Sequence, residues 1–91
     1  MNYGKTREIS IINKDGLAVA DSDKAKTESQ FNPISLGETD KNYKQLGNYY
    51  SSIISGAETS GMTMLKSEGE ARFVSFANLS DSGCKFVISV P

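Results

Sequence analysis

The stretch that most limits how this chain can fold is its C-terminal run, residues 69–91, GEARFVSFANLSDSGCKFVISVP. Val74 and Phe76 in one half and Phe86, Ile88 and Val90 in the other are the β-branched and aromatic residues that a pleated, packed surface favours, and Asp81, Ser82 and Gly83 supply a turn between them. Pro91 cannot donate to a ladder and stops the second run. The pattern predicts an antiparallel pair over 70–79 and 84–90. Apolar groups fall on both faces of each run, with Val74 and Phe76 set against Phe73 and Ala77, and Phe86 and Ile88 against Val87. A sheet wetted on one side alternates more cleanly, so both faces are expected to be covered.

A second strand pair is written near the start. In REISIINKDGLAVAD, residues 7–21, Ile9 and Ile11 alternate with Glu8 and Ser10, the chain passes through Asp15-Gly16, and Leu17 and Val19 resume. Asp-Gly accepts the positive φ of a two-residue turn, so strands are expected near 7–14 and 17–21. Asp21, Ser22 and Asp23 have the spacing that opens a calcium loop, but Ala25, Lys26 and Asn32 stand where that loop needs ligands, a Gly and a closing Glu. The alternative is a solvated strand exit whose side chains cap the next segment.

Between these pairs, residues 24–38 mix charge with Pro33 and Gly37 and show no clean period, which reads as a loop with a helical turn. Phe31, Ile34 and Leu36 are too many apolar residues for a solvated linker, so the loop should lie against the domain. Residues 39–55 place Tyr43, Leu46, Tyr50, Ile53 and Ile54 at helical spacings, with Thr39 or Asp40 as cap and Gly56 as stop. Gly47 inside this helix costs about 1 kcal/mol relative to Ala, which a close approach to the sheet would explain and a frayed or kinked helix explains as well. A third strand is expected over 61–67, around Met62, Met64 and Leu65. The sum is one α+β domain with a five-stranded antiparallel sheet, one main helix and a covering loop.

The inventory excludes several functions. With no His and one Cys among 91 residues, the chain lacks a Ser-His or Cys-His nucleophile and a zinc ligand set, and it implies no cofactor. No pair of acids is placed on one site by the sequence alone, so the domain reads as non-catalytic. Ten basic residues against eleven acidic ones give a net charge of −1 without a basic cluster, so nucleic acid is not expected as a partner. Cys84 opens an apolar strand and reads as a small buried residue. No apolar run approaches the length that spans a bilayer.

Two blocks of this sequence resemble the Cache family of PAS-like sensor domains: the hairpin around Asp15-Gly16 leading into Ala20-Asp21-Ser22, and the terminal strand pair with its Gly-ended turn closing on Val90-Pro91. The resemblance implies a PAS-like fold with a small-molecule pocket between the sheet and the connecting segment. It also implies an extracytoplasmic place in a membrane-anchored chemoreceptor, sensor histidine kinase or cyclic-dinucleotide enzyme. In that fold a long helix before the first strand covers the second sheet face; only MNYGKT precedes residue 7, so the expectation is a fragment of the parent domain. Where the family often shows Gly-Trp before the last strand, this chain has Gly83-Cys84, and without any Trp the aromatic constellation of the amino-acid-binding members cannot be carried over.

Three roles stay open at this level: a ligand-binding sensor, a membrane-proximal spacer that relays motion without binding, and a free-standing PAS-like interaction module. A bound carboxylate, amine or sugar should lie between helix and sheet. Arg72, one of two arginines, could grip a carboxylate through two parallel hydrogen bonds, with Tyr49 and Tyr50 closing the pocket. The plainer reading puts Arg72 at a solvated strand edge, paired with Glu70 or Glu68. An uncovered apolar face would make the chain self-associate, as a homodimer for instance, or leave it near its stability limit.

Overall fold

A computed structural model describes residues 7–56, 58–79 and 83–91. The first turn forms around Asn13, whose side-chain oxygen accepts from the N–H groups of Asp15 at 2.8 Å and Leu17 at 3.0 Å. It joins β1 (Glu8–Ile12) to β2 (Ala18–Asp21), with a bulge between Ile11 and Ile12. After the segment of helices come β3 (Ser60–Ser67), β4 (Glu70–Leu79) and β5 (Cys84–Val90). Glu68 and Gly69 turn β3 into β4 with φ of 57° and 79°, the positive values that a tight hairpin requires. Of the turn expected before β5, Gly83 has φ +84°, while Asp81 and Ser82 lie outside the described residues.

The five strands form one sheet in the order β2-β1-β5-β4-β3, and every neighbouring pair is antiparallel. The fold is therefore the PAS-like α+β arrangement that the sequence predicts. The main helix, α3 (Lys44–Ser55), is entered through a 3-10 turn at Lys41–Tyr43, which Asp40 caps by accepting from Asn42 N–H at 2.9 Å. Leu46, Tyr50 and Ile53 on one stripe of α3 are buried against Ile12, Val74 and Val87 of the sheet. Gly56 ends the helix, as expected.

Two features of the connecting segment differ from the sequence reading. Residues 24–38 hold two short helices, α1 (Lys24–Glu28) and α2 (Pro33–Leu36), rather than a loop with one turn. Asp23 caps α1 by accepting from Ala25 N–H at 3.1 Å, and Asn32 caps α2 by accepting from Ile34 N–H at 3.0 Å, with Pro33 at the first helical position. These helices are too short to show a period, so capping chemistry carries their only local signal. Gly47 does permit a close approach, but to α2 and not to the sheet: a Cβ there would lie 2.3 Å from the carbonyl oxygen of Pro33.

Sheet alternation sorts the remaining side chains. Ile12, Val74 and Val87 point under the helices, whereas Ile9, Met62, Met64 and Phe73 stand on the other face and remain exposed, Met62 by 70 % and Phe73 by 46 %. No described element covers that face. Cys84, expected to be buried, is only half-buried at the start of β5.

Candidate functional site

The strand register gathers polar side chains on the covered face, beneath α1 and α3. Glu8 pairs with Ser89, Ser89 with Val74, and Ser10 with both Asp21 and Val87, so Glu8, Ser10, Asp21 and Ser89 share that face with Arg72, two residues from Val74 along β4. Arg72 spends its whole fork inside the protein. Its Nε donates to Ser89 Oγ at 2.5 Å, one terminal nitrogen donates to the Ser89 carbonyl at 3.0 Å, and the other meets Glu70 Oε1 at 2.6 Å. Glu70 is thus the partner expected in the plainer reading, yet the Arg72 side chain is only 11 % exposed and sits within the sheet rather than at a solvated edge.

Lys26, carried by α1, reaches down to Glu8 Oε1 at 2.9 Å and lies 3.9 Å from Glu68 Oε1. Its ammonium also sits 4.6 Å from the ring centre of Phe31, within cation–π range. Tyr50, 4 % exposed, hydrogen-bonds with the buried Ser10, and burial raises its hydroxyl pKa. Tyr43 donates to Glu68 at 3.0 Å, and burial together with that carboxylate pushes it up to about 12.

Glu8 and Asp21 form a carboxyl pair. Burial, then the hydrogen bond to Glu8 and its negative charge, push Asp21 up to about 7. Burial acts on Glu8 in the same sense, but hydrogen bonds from Asp21 and Lys26, with the positive charges of Lys26 and Arg72, outweigh it and hold Glu8 below its ordinary value. Below about pH 7, therefore, Asp21 holds the proton of the pair and Glu8 the negative charge. Sequence reading missed this pair; the signal available was the Asp15-Gly16 turn, whose register sets Ser10 opposite Asp21 and so brings Glu8 alongside.

Glu8, Ser10, Lys26, Tyr50, Arg72 and Ser89 line one cavity of about 20 Å³, room for roughly one water molecule. Of the three residues the sequence singled out, Arg72 and Tyr50 meet at this cavity. Tyr49 does not. It packs edge-on against Phe76, with ring centres 6.1 Å apart, and lines a separate open groove of about 320 Å³ between α3 and β3. The acids at the end of β2 act as caps: Asp21 accepts from Asp23 N–H at 2.9 Å, and Asp23 caps α1. Among the described residues no group of three or more His, Cys, Asp or Glu side chains could hold a metal ion, and no helix is long and apolar enough to cross a membrane. Compared with protein-family models and with curated proteins, the chain matches none.

Proposed function

We propose that this chain is a sensory domain of the Cache-like, PAS-related kind, held outside the cytoplasm in a membrane-anchored signalling receptor, where it binds a small molecule and passes a shift of its sheet to the rest of the protein. It acts by binding and motion, without catalysis. One observation carries the reading: charged and hydroxyl side chains from α1, α3, β1, β4 and β5 converge on a single point beneath the helices. A domain that needed only a core would place apolar residues there, because buried polar groups cost free energy unless each is partnered. All of them are partnered among the described residues. A ligand carboxylate entering under α1 would replace Ser89 and Glu70 on Arg72, so that binding would loosen one inter-strand tie and the hold of α1 on the sheet together.

The size of the cavity favours a second reading, the spacer that relays motion without a ligand. About 20 Å³ admits no small organic molecule as the domain stands. A thermal-shift screen of small carboxylates, amines and sugars separates the two, since a ligand at a hundred times its dissociation constant stabilises the fold by about 2.7 kcal/mol. A hit that Arg72→Gln abolishes supports the sensor reading at this cavity. A folded, monodisperse protein that shifts with none of them supports the spacer.

A further inference from the structure

The groove beside Tyr49 is separate from the Arg72 cavity and has the volume of a small-molecule site, about 320 Å³. Its floor is the ring of Phe76 and its wall the ring of Tyr49, set edge to face at 73°. Ser52, Thr63 and Met62 also line it. Ser52 already donates to the Tyr49 carbonyl at 2.7 Å, so its remaining capacity toward a ligand is as an acceptor. Glu58 is the one charged residue in the lining, it is exposed, and among the described residues no Lys or Arg lies within ion-pair reach of it. Its charge is felt inside the groove: after burial, it is what raises the Tyr49 hydroxyl pKa. The groove also lies along the last turn of α3, where the helix presents the negative end of its dipole.

The Glu58 carboxylate, the aromatic rings and the end of α3 all favour positive charge in this groove. We infer that the groove between α3 and β3 is a binding site for a small organic cation, an ammonium on an aromatic or apolar body, with the nitrogen held by Glu58 and the body lying on Tyr49 and Phe76. Aromatic faces attract a cation as well as shield it from water, and the carboxylate supplies a charge-assisted hydrogen bond. An anion is disfavoured by the same groups. The inference goes beyond the sensor reading and does not need the Arg72 cavity to open.

The probe is benzylammonium, titrated calorimetrically into the whole chain, with benzyl alcohol and benzoate as uncharged and anionic counterparts. Benzylammonium should bind at about millimolar concentration, within the range for so small a ligand. Amide resonances of Tyr49, Ser52 and Thr63 should move, benzoate should not bind, and Glu58→Gln, an exposed change that leaves the core intact, should weaken binding about fivefold or more. Thr63→Val should weaken it less, and Arg72→Gln should leave it unchanged. Absence of binding, equal binding of benzyl alcohol, or a Glu58→Gln protein that binds as well as the original overturns the inference. Benzylammonium binding that is lost with Arg72→Gln but kept with Glu58→Gln overturns it too, while leaving the sensor reading in place.

Discussion

Arg72 and Ser89 are joined twice across β4 and β5, once through the Ser89 hydroxyl and once through its carbonyl, although the residue directly opposite Ser89 on β4 is Val74. The diagonal tie explains how a guanidinium can sit under the helices at little cost. Its donors meet two acceptors from β5 and one from Glu70, so a buried charge is both paired and hydrogen-bonded.

Arg72→Ala is expected to destabilise the domain by about 1–3 kcal/mol, because it strips charge-assisted hydrogen bonds and leaves Ser89 without its donor. Glu70→Gln should cost about 1 kcal/mol at most, since Glu70 is 55 % exposed. Urea unfolding checks both, and equal losses from the two changes would contradict the assignment of Ser89 as the main partner.

The Glu8–Asp21 pair predicts an unusual pH dependence. The folded pKa of Asp21 is raised from an ordinary 3.8 to about 7, so its contribution is fully present below the ordinary value and is lost as pH climbs toward 7. Glu8 is held below its ordinary 4.5, so its contribution is present above that value and fades as pH falls. Stability should therefore peak in mildly acidic solution and decline toward neutrality. In Asp21→Asn the amide donates to Glu8 at every pH, and the decline between about pH 4 and 7 should flatten. Denaturant midpoints across that range supply the check; an unchanged slope in Asp21→Asn would place the titration elsewhere.

Gly47→Ala sets two effects against each other. Alanine gains about 1 kcal/mol of helix propensity in α3, but its Cβ would stand 2.3 Å from Pro33 O, a backbone atom that cannot swing aside, and Pro33 is fully buried. The clash should win, with a net loss of about 1–3 kcal/mol as α2 is pushed off α3. Thermal melts decide it, and a stabilised Gly47→Ala would mean that α2 is held less tightly than its packing implies.

What the sequence made legible was local chemistry. The Asp15-Gly16 turn, the alternation around Ile9 and Ile11 and the density at Phe86 and Ile88 each fix an element without reference to the rest of the chain, and the five strands fall where these signals lie. Arg72 and Tyr50 could be named because an arginine inside an apolar strand and a tyrosine on a helix stripe both stand out. Ser89, Lys26 and Asp21 could not. Their roles depend on β5 lying between β1 and β4, a pairing of residues some eighty positions apart, and on α1 being capped by Asp23 so that Lys26 points inward. Tyr49 and Tyr50 look alike as neighbours in sequence, but the helix turns them about 100° apart, toward different cavities.

The uncovered sheet face leads to the last prediction. Ile9, Met62, Met64 and Phe73 are exposed there, and Ile11, Phe86, Ile88 and Val90 lie half-buried on the same side. Five strands about 4.8 Å apart, some seven residues long, present a face of roughly 20 Å by 20 Å. Two such faces pressed together would bury on the order of 1,000 Å² in total, the lower bound for a specific interface. The expected result is a weak, concentration-dependent dimer packed sheet on sheet. Phe73→Glu together with Met64→Glu should abolish it, and because both side chains already face solvent, the melting behaviour of the monomer should change little, by about 0.5 kcal/mol. Sedimentation equilibrium over a range of concentrations reads the outcome directly. A protein that stays monomeric at high concentration, with Phe73 protected from solvent in exchange or labelling measurements, would show that this face is closed from within the chain.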